Sequence, residues 1–324
     1  MSYHGWAKTL TSRDCRFVLA AAGLSLLAFR AIGGPPASST PKAEIETITV
    51  EAARAREKVA QQVSQFVSAI AVQRWDQSLA NWQLEIPICP LVAGLPRTDG
   101  EYMLTRLSQI AVSAGAPLAP DHCKPNFFVV VTSEPDALLK AWSKRDVNLF
   151  DNGDDHGYTE IRKFLDAKVP VRAWYNAEIY NSDGTPLKYE ISGPFKGFRA
   201  TSYAVATKIR FNTVRDLASV IVLIDAPRAR GISFGQLAAY VAMVGLAQIN
   251  IDPKPSDTPS ILQLFSDAGR PAPTGLTPWD EAFLKGLYHS DHLDQHQILA
   301  VKTSMVKDIT SNHWLPTTGL MAAR

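Results

Sequence analysis

Three histidines, His289, His292 and His296, lie in the stretch YHSDHLDQH at spacings of three and four. On one continuous helix those intervals put three imidazoles on one face, as a zinc site requires, and Asp291 and Asp294 could orient the rings from behind. The competing reading of the same stretch is a polar helix start with Asp291 as its cap. A second concentration of donors, FDNGDDHGYTE over Phe150–Glu160, offers Asn152, Asp154 and His156 at calcium-loop spacing, followed by Gly157. The twelfth place is Lys163 instead of the closing Glu, so the EF-hand pattern fails and a solvated acidic loop is expected. Cys89 (in IPICP) and Cys123 (in HCKPN) belong to no C-x-x-C pair, which speaks against a zinc site. In an oxidising compartment such an isolated pair predicts one disulfide; the alternative is two unrelated buried thiols. There is no G-x-S-x-G and no glycine-rich phosphate loop. No catalytic residue and no cofactor is assigned, and the histidine trio is the one metal candidate.

Elements must position these groups. Val59, Val63, Phe66, Val67 and Ile70 recur at helical spacing, predicting a helix over Ala52–Val72, with the short EIETITV (Glu44–Val50) as a strand before it. Trp75 and Trp82 lie on the way to Cys89. Met103, Leu107, Ile110 and Ala111 share one face of a second helix, Asp99–Ala114, which Gly115 stops. NFFVVVT (Asn126–Thr132) reads as a buried strand and PDALLKAWSKR (Pro135–Arg145) as a short helix. Val171, Ala173, Tyr175, Ala177 and Ile179 alternate with Arg172, Trp174, Asn176, Glu178 and Tyr180; NSDGT then turns the chain and Leu187–Ile191 returns as a hairpin. Trp174 and Tyr180 on this hairpin are candidates for a binding surface. ATKIRFNT (Ala206–Thr213) and Leu217–Asp225 supply two more strands, and the last third is helical. The fold class is α+β, a mixed or antiparallel sheet with packed helices. It forms a single domain over 45–324, in which 45–115 is a helical lobe and 126–324 the sheet with the C-terminal helices.

The stretch GISFGQLAAYVAMVGLAQI, Gly231–Ile249, follows the most apolar strand. Ser233 and Gln236 form a capping box, Phe234, Leu237, Val241 and Val244 make an apolar stripe, and Gly245 is placed to end or bend the helix. The order of strand, QLAAYVAMVGLAQ, SILQLF and LTPWDEAFLKGLY resembles a family of exported bacterial proteins of unknown function and, at greater distance, the zincin metallopeptidases. In zincins the resemblance would put H-E-x-x-H ahead of the Gly-Leu pair, with two histidines on zinc and a glutamate activating its water. In this chain those positions read Ala238, Ala239, Tyr240, Val241 and Ala242. The resemblance, which covers about Leu217–Tyr288, thus implies a zincin-like core whose ligands and base are lost; the alternative is an ordinary core helix.

Lys8, Arg13 and Arg16 precede the apolar run FVLAAAGLSLLAF, Phe17–Phe29, and Ala31-Ile32-Gly33 is a small-x-small cleavage signal. Residues 1–33 therefore read as a secretory signal peptide or, alternatively, an uncleaved N-terminal membrane anchor, with 34–44 as a flexible linker. Arg30 interrupts the run well short of the roughly 20 apolar residues that span a bilayer. The expected location is periplasmic or secreted, with tethering to the inner membrane if the segment is kept. The formal charge of +2, without a basic run, gives nucleic acid no electrostatic footprint. The function expected is non-catalytic: binding of a peptide or cell-envelope protein, or an envelope-associated role. The alternative is a metal-dependent hydrolase using His289, His292 and His296.

Overall fold

The computed structural model describes residues 42–72, 78–145, 157–181, 185, 213–250, 258–266 and 271–311, with the backbone alone for 42–50 and 157–160. The chain falls into two units, Met1–Glu46 and Thr47–Arg324; apart from the first turn of α1, the second carries every element that follows. In chain order the described elements are α1 (Lys42–Ile70), β1 (Pro90–Ala93), α2 (Arg97–Ala114), β2 (Phe127–Thr132), α3 (Pro135–Arg145), α4 (Gly157–Asp166), β3 (Val171–Asn181), β4 (Thr213–Asp225), α5 (Phe234–Gly245), a 3-10 turn (Ile261–Gln263), α6 (Pro278–Tyr288) and α7 (Gln297–Ser311). The fold is α+β, as the sequence predicts.

The sheet is mixed, in the order β1-β2-β4-β3. β1, β2 and β4 run parallel, and β3 pairs antiparallel with β4. Both faces are covered, which is why β2 and β4 read as continuous apolar runs. Phe127, Val129, Val220, Val222 and Ile224 join the main core with α1, α2, α5, α6 and α7. Phe128, Val130, Ile221 and Leu223 join a second cluster with Leu139 of α3, Phe164 of α4 and Trp174.

Several boundaries differ from the sequence reading. Glu44–Val50 is helical, not a strand: α1 begins at Lys42 and absorbs both it and the end of the expected linker. Ile45, Ile48 and Ala52 continue the three-four spacing of the later stripe, so the helical period outweighs the β-branched content. The lobe expected over 45–115 is not separate, because Val63 and Phe66 of α1 and Met103 and Leu107 of α2 share one core with the sheet. SILQLF shortens to the single 3-10 turn. The strand next to β3 is β4, and the returning arm Leu187–Ile191 lies outside the described residues, as do Trp75, Phe150–His156 and Ala206–Asn212.

Cys89 and Cys123 are joined by a disulfide, with Cα atoms 5.9 Å apart. It sits where β1 begins. Beside it, Asn126 accepts from the Cys89 amide at 2.7 Å and donates to the Pro87 carbonyl at 3.0 Å, so the loop before β2 is fastened to the start of β1 twice.

Candidate functional site

The capping box of α5 is formed: the Gln236 amide donates to Ser233 Oγ at 3.2 Å and the Gln236 side chain returns to the Ser233 amide at 3.2 Å. From Leu237 to Gly245 every residue is buried. A helix apolar on all sides belongs inside a core. Ala238 and Ala242 are 0% exposed and Ala239 2%. Tyr240, between Ala239 and Val241, stands edge-on to Phe265 with ring centroids 5.0 Å apart. These positions are packing surface, without room for imidazoles and a water.

The buried C-terminus of α5 has an additional demand. Its last carbonyls must find donors, and its last turn carries no basic residue. Three rings from three different segments supply them. Tyr175 of β3 donates to the Val244 carbonyl at 2.7 Å, Trp82 Nε1 to Gly245 at 2.8 Å, and Tyr288 of α6 to Leu246. Burial raises the phenols of Tyr175 and Tyr288 far above their ordinary range, so both remain protonated donors.

The histidine trio does not assemble. α6 ends at Tyr288 and α7 starts at Gln297, so all three rings fall in the connection between them and helical spacing no longer applies. His289 caps α6, its Nδ1 bonded to the Lys285 carbonyl at 2.7 Å, while His296 Nδ1 lies 3.4 Å from Asp294. Among the described residues no three His, Cys, Asp or Glu side chains are grouped to hold a metal ion.

The aromatic surface expected on β3 is not there either. Trp174 is 5% exposed, its ring packed 5.4 Å from Phe164, and its Nε1 donates to Asn176 at 2.8 Å. Tyr180 is 7% exposed, against Val214 and Leu293. The alternation places both rings between the sheet and the elements that cover it at these positions.

Tyr180 nevertheless belongs to a place where carboxyl groups converge. Its hydroxyl donates to Glu178 at 3.0 Å, and Glu178 pairs across the strands with Asp216 of β4. Asp216 is a carboxyl within a strand, only 5% exposed, and its Oδ1 has no hydrogen-bond partner. Burial, and then the charge of Glu85, push it up to about 7, against a hydrogen bond from Gln83. Gln83 in turn donates to Asn81 at 2.9 Å, and the Leu217 amide donates to the Asn81 carbonyl at 3.0 Å, so the Asn81–Glu85 segment is fastened to β4. Tyr180 is likewise raised by burial, then by the Glu178 charge, so its hydroxyl stays a donor. At the rim Glu85 and Glu178 are exposed, and Leu84, beside them, is 81% exposed.

Among these residues the sequence reading named Tyr180 alone as a candidate. Arg215-Asp216 lie between the two expected strands Ala206–Thr213 and Leu217–Asp225, where a charged pair is unremarkable, and only the continuous β4 (Thr213–Asp225) places them inside a strand. Comparison of the chain with family models, with curated proteins and with solved structures gives no match in any of the three.

Proposed function

We propose that this chain is an exported, non-catalytic binding protein of the bacterial cell envelope, which holds a segment of a peptide or protein partner at the acidic cluster around Asp216. The observation that carries this reading is the buried Asp216 carboxyl with one oxygen unsatisfied, beside two exposed carboxylates and the exposed Leu84. A buried polar atom without a partner costs about 1–3 kcal/mol, which an occupant can recover. Leu84 supplies the apolar contact that specific recognition needs next to charge. The loss of hydrolytic chemistry at α5 is supported by the burial of Ala238 and Ala242. The zincin-like ancestry is supported by the succession of β4, short loop, capped helix and Gly-Leu pair.

The test is photo-crosslinking in the native host. A photoreactive residue replacing Leu84 is expected to trap one partner, mapped to one peptide by mass spectrometry. The same residue replacing Val112, which is 65% exposed on α2, is expected not to. Equal trapping at both positions, or none at Leu84, overturns the reading.

A further inference from the structure

We infer that the group recognised by the acidic cluster is the ammonium of a lysine side chain, which completes the open oxygen of Asp216 while its carbon stem lies along Leu84. The inference rests on the binding role proposed above and specifies its chemistry.

The charge calls for a cation. Glu85 from the 83–86 turn and Glu178 from β3 bracket Asp216, and Tyr180 is committed to Glu178. Arg215 precedes Asp216 on β4 and by strand alternation projects from the opposite face. The α6–α7 connection contributes apolar Leu293. A metal ion is disfavoured because no three donors are grouped among the described residues. A guanidinium is disfavoured by geometry. Its planar fork pairs best with two accessible carboxylate oxygens, whereas Oδ1 of Asp216 is fully buried and admits only a compact group. An ammonium is a compact charge that a single buried acceptor can seat, here Oδ1, while the exposed Glu85 and Glu178 add negative charge nearby. Leu84 gives the four-carbon stem an apolar surface to lie on. Because Oδ1 is buried, admission requires the Gln83–Ile86 turn to shift; that turn is closed by one backbone bond, Ile86 to Gln83 at 3.1 Å.

Binding and protonation then compete for one oxygen. An ammonium pairs with ionised Asp216, whose proton must leave first, so affinity should fall about tenfold per pH unit below about 7 and level off above it. The probes are three tripeptides: acetyl-Ala-Lys-Ala-amide, its norleucine analogue, and trialanine amide with a free N-terminus. Each is titrated into the full-length protein and followed by the amide resonances of Glu178, Tyr180 and Asp216. The lysine peptide is expected to give saturable shifts at pH 8, at least about tenfold tighter than the other two, and weakening with acidification as above. Asp216→Asn should abolish both the preference and the pH dependence, and its unchanged amide spectrum elsewhere would show that it folds. A Lys/norleucine ratio near one, an equal response to trialanine amide, or binding that survives in Asp216→Asn overturns the inference. If Leu84 still traps a partner in those cases, the binding role stands and the lysine assignment alone fails.

Discussion

Gly245 and Phe127 touch so closely that a Cβ on the glycine would lie 2.0 Å from the ring's Cζ. The last turn of α5 therefore sits directly on β2, and the Gly245 carbonyl is held by Trp82, itself 6.3 Å from the Phe127 ring. Gly245 is required for this approach to the sheet; it lies within α5, whose cap is Leu246, and does not take the left-handed conformation of a helix-stopping glycine.

Gly245→Ala should destabilise by about 3 kcal/mol, at the upper end of overpacking costs. Phe127→Leu in the same chain should recover part of that loss, because both act on one contact. A double-mutant cycle by urea unfolding measures it. Strict additivity would show that the contact does not govern the site.

His at both Ala238 and Ala242 should cost about 1–3 kcal/mol or more by overpacking and create no zinc-dependent cleavage, since a base and a third ligand are still absent. Ser233→Ala should cost about 1 kcal/mol through the lost cap. Thermal unfolding and a peptidase assay of wild type and variants check both statements. Chelator-sensitive cleavage by the wild type, lost on changing Tyr240, would contradict them.

Asp136 carries an acid-sensitive part of the stability. Hydrogen bonds from Lys168 and then Arg172 hold its carboxyl at about 2, below the ordinary 3.8. The folded state thus binds fewer protons than the unfolded chain between those values. Its stabilisation is complete above about pH 4 and is lost as pH falls towards 2. Asp136→Asn should flatten this limb of a urea midpoint plotted against pH. It should also lower the midpoint at pH 7, because the Arg172 guanidinium is 2% exposed and is left with neutral acceptors alone, the Leu165 carbonyl among them.

Opening the Cys89–Cys123 bridge, with a sequence separation of 34, should cost about 3–4 kcal/mol in the chain-entropy account. Non-reduced peptide mapping should find the bridge in the mature protein, and Cys89→Ser with Cys123→Ser should lower the urea midpoint accordingly. Two alkylatable thiols in purified, unreduced protein would contradict this.

Helices whose stripe recurs over several turns, α2 and the docked half of α1, are legible in the sequence, as are the capping box at Ser233 and the apolar runs of β2 and β4. Their signals are local. Glu44–Val50 misleads because β-branched residues also fit a helix when they follow its period. Trp174 and Tyr180 mislead because alternation separates two faces of a strand without saying whether each is wet; here α3 and α4 cover Trp174, while Leu293 of the α6–α7 connection and Ile86 cover Tyr180. The histidine trio depends on one continuous helix, which breaks after Tyr288. Asp216 is the reverse case. Its character comes from burial and from Glu85, distant in the chain and near only after folding, and in the sequence Asp216 falls between two expected strands, so nothing there marks it.

The most direct measurement on the site is the titration of the Asp216 carboxyl by carbon NMR in the full-length protein without added ligand. The account predicts a midpoint of about 7, caused by burial and then by the charge of Glu85. Since this folded value is raised, the associated stability should be complete below about pH 4 and decline as pH rises through 7, a dependence that Asp216→Asn removes. Glu85→Gln should bring the midpoint down. A carboxyl titrating near 4 and unmoved by Glu85→Gln would mean that Asp216 is an ordinary solvated acid, and the site described here would not exist.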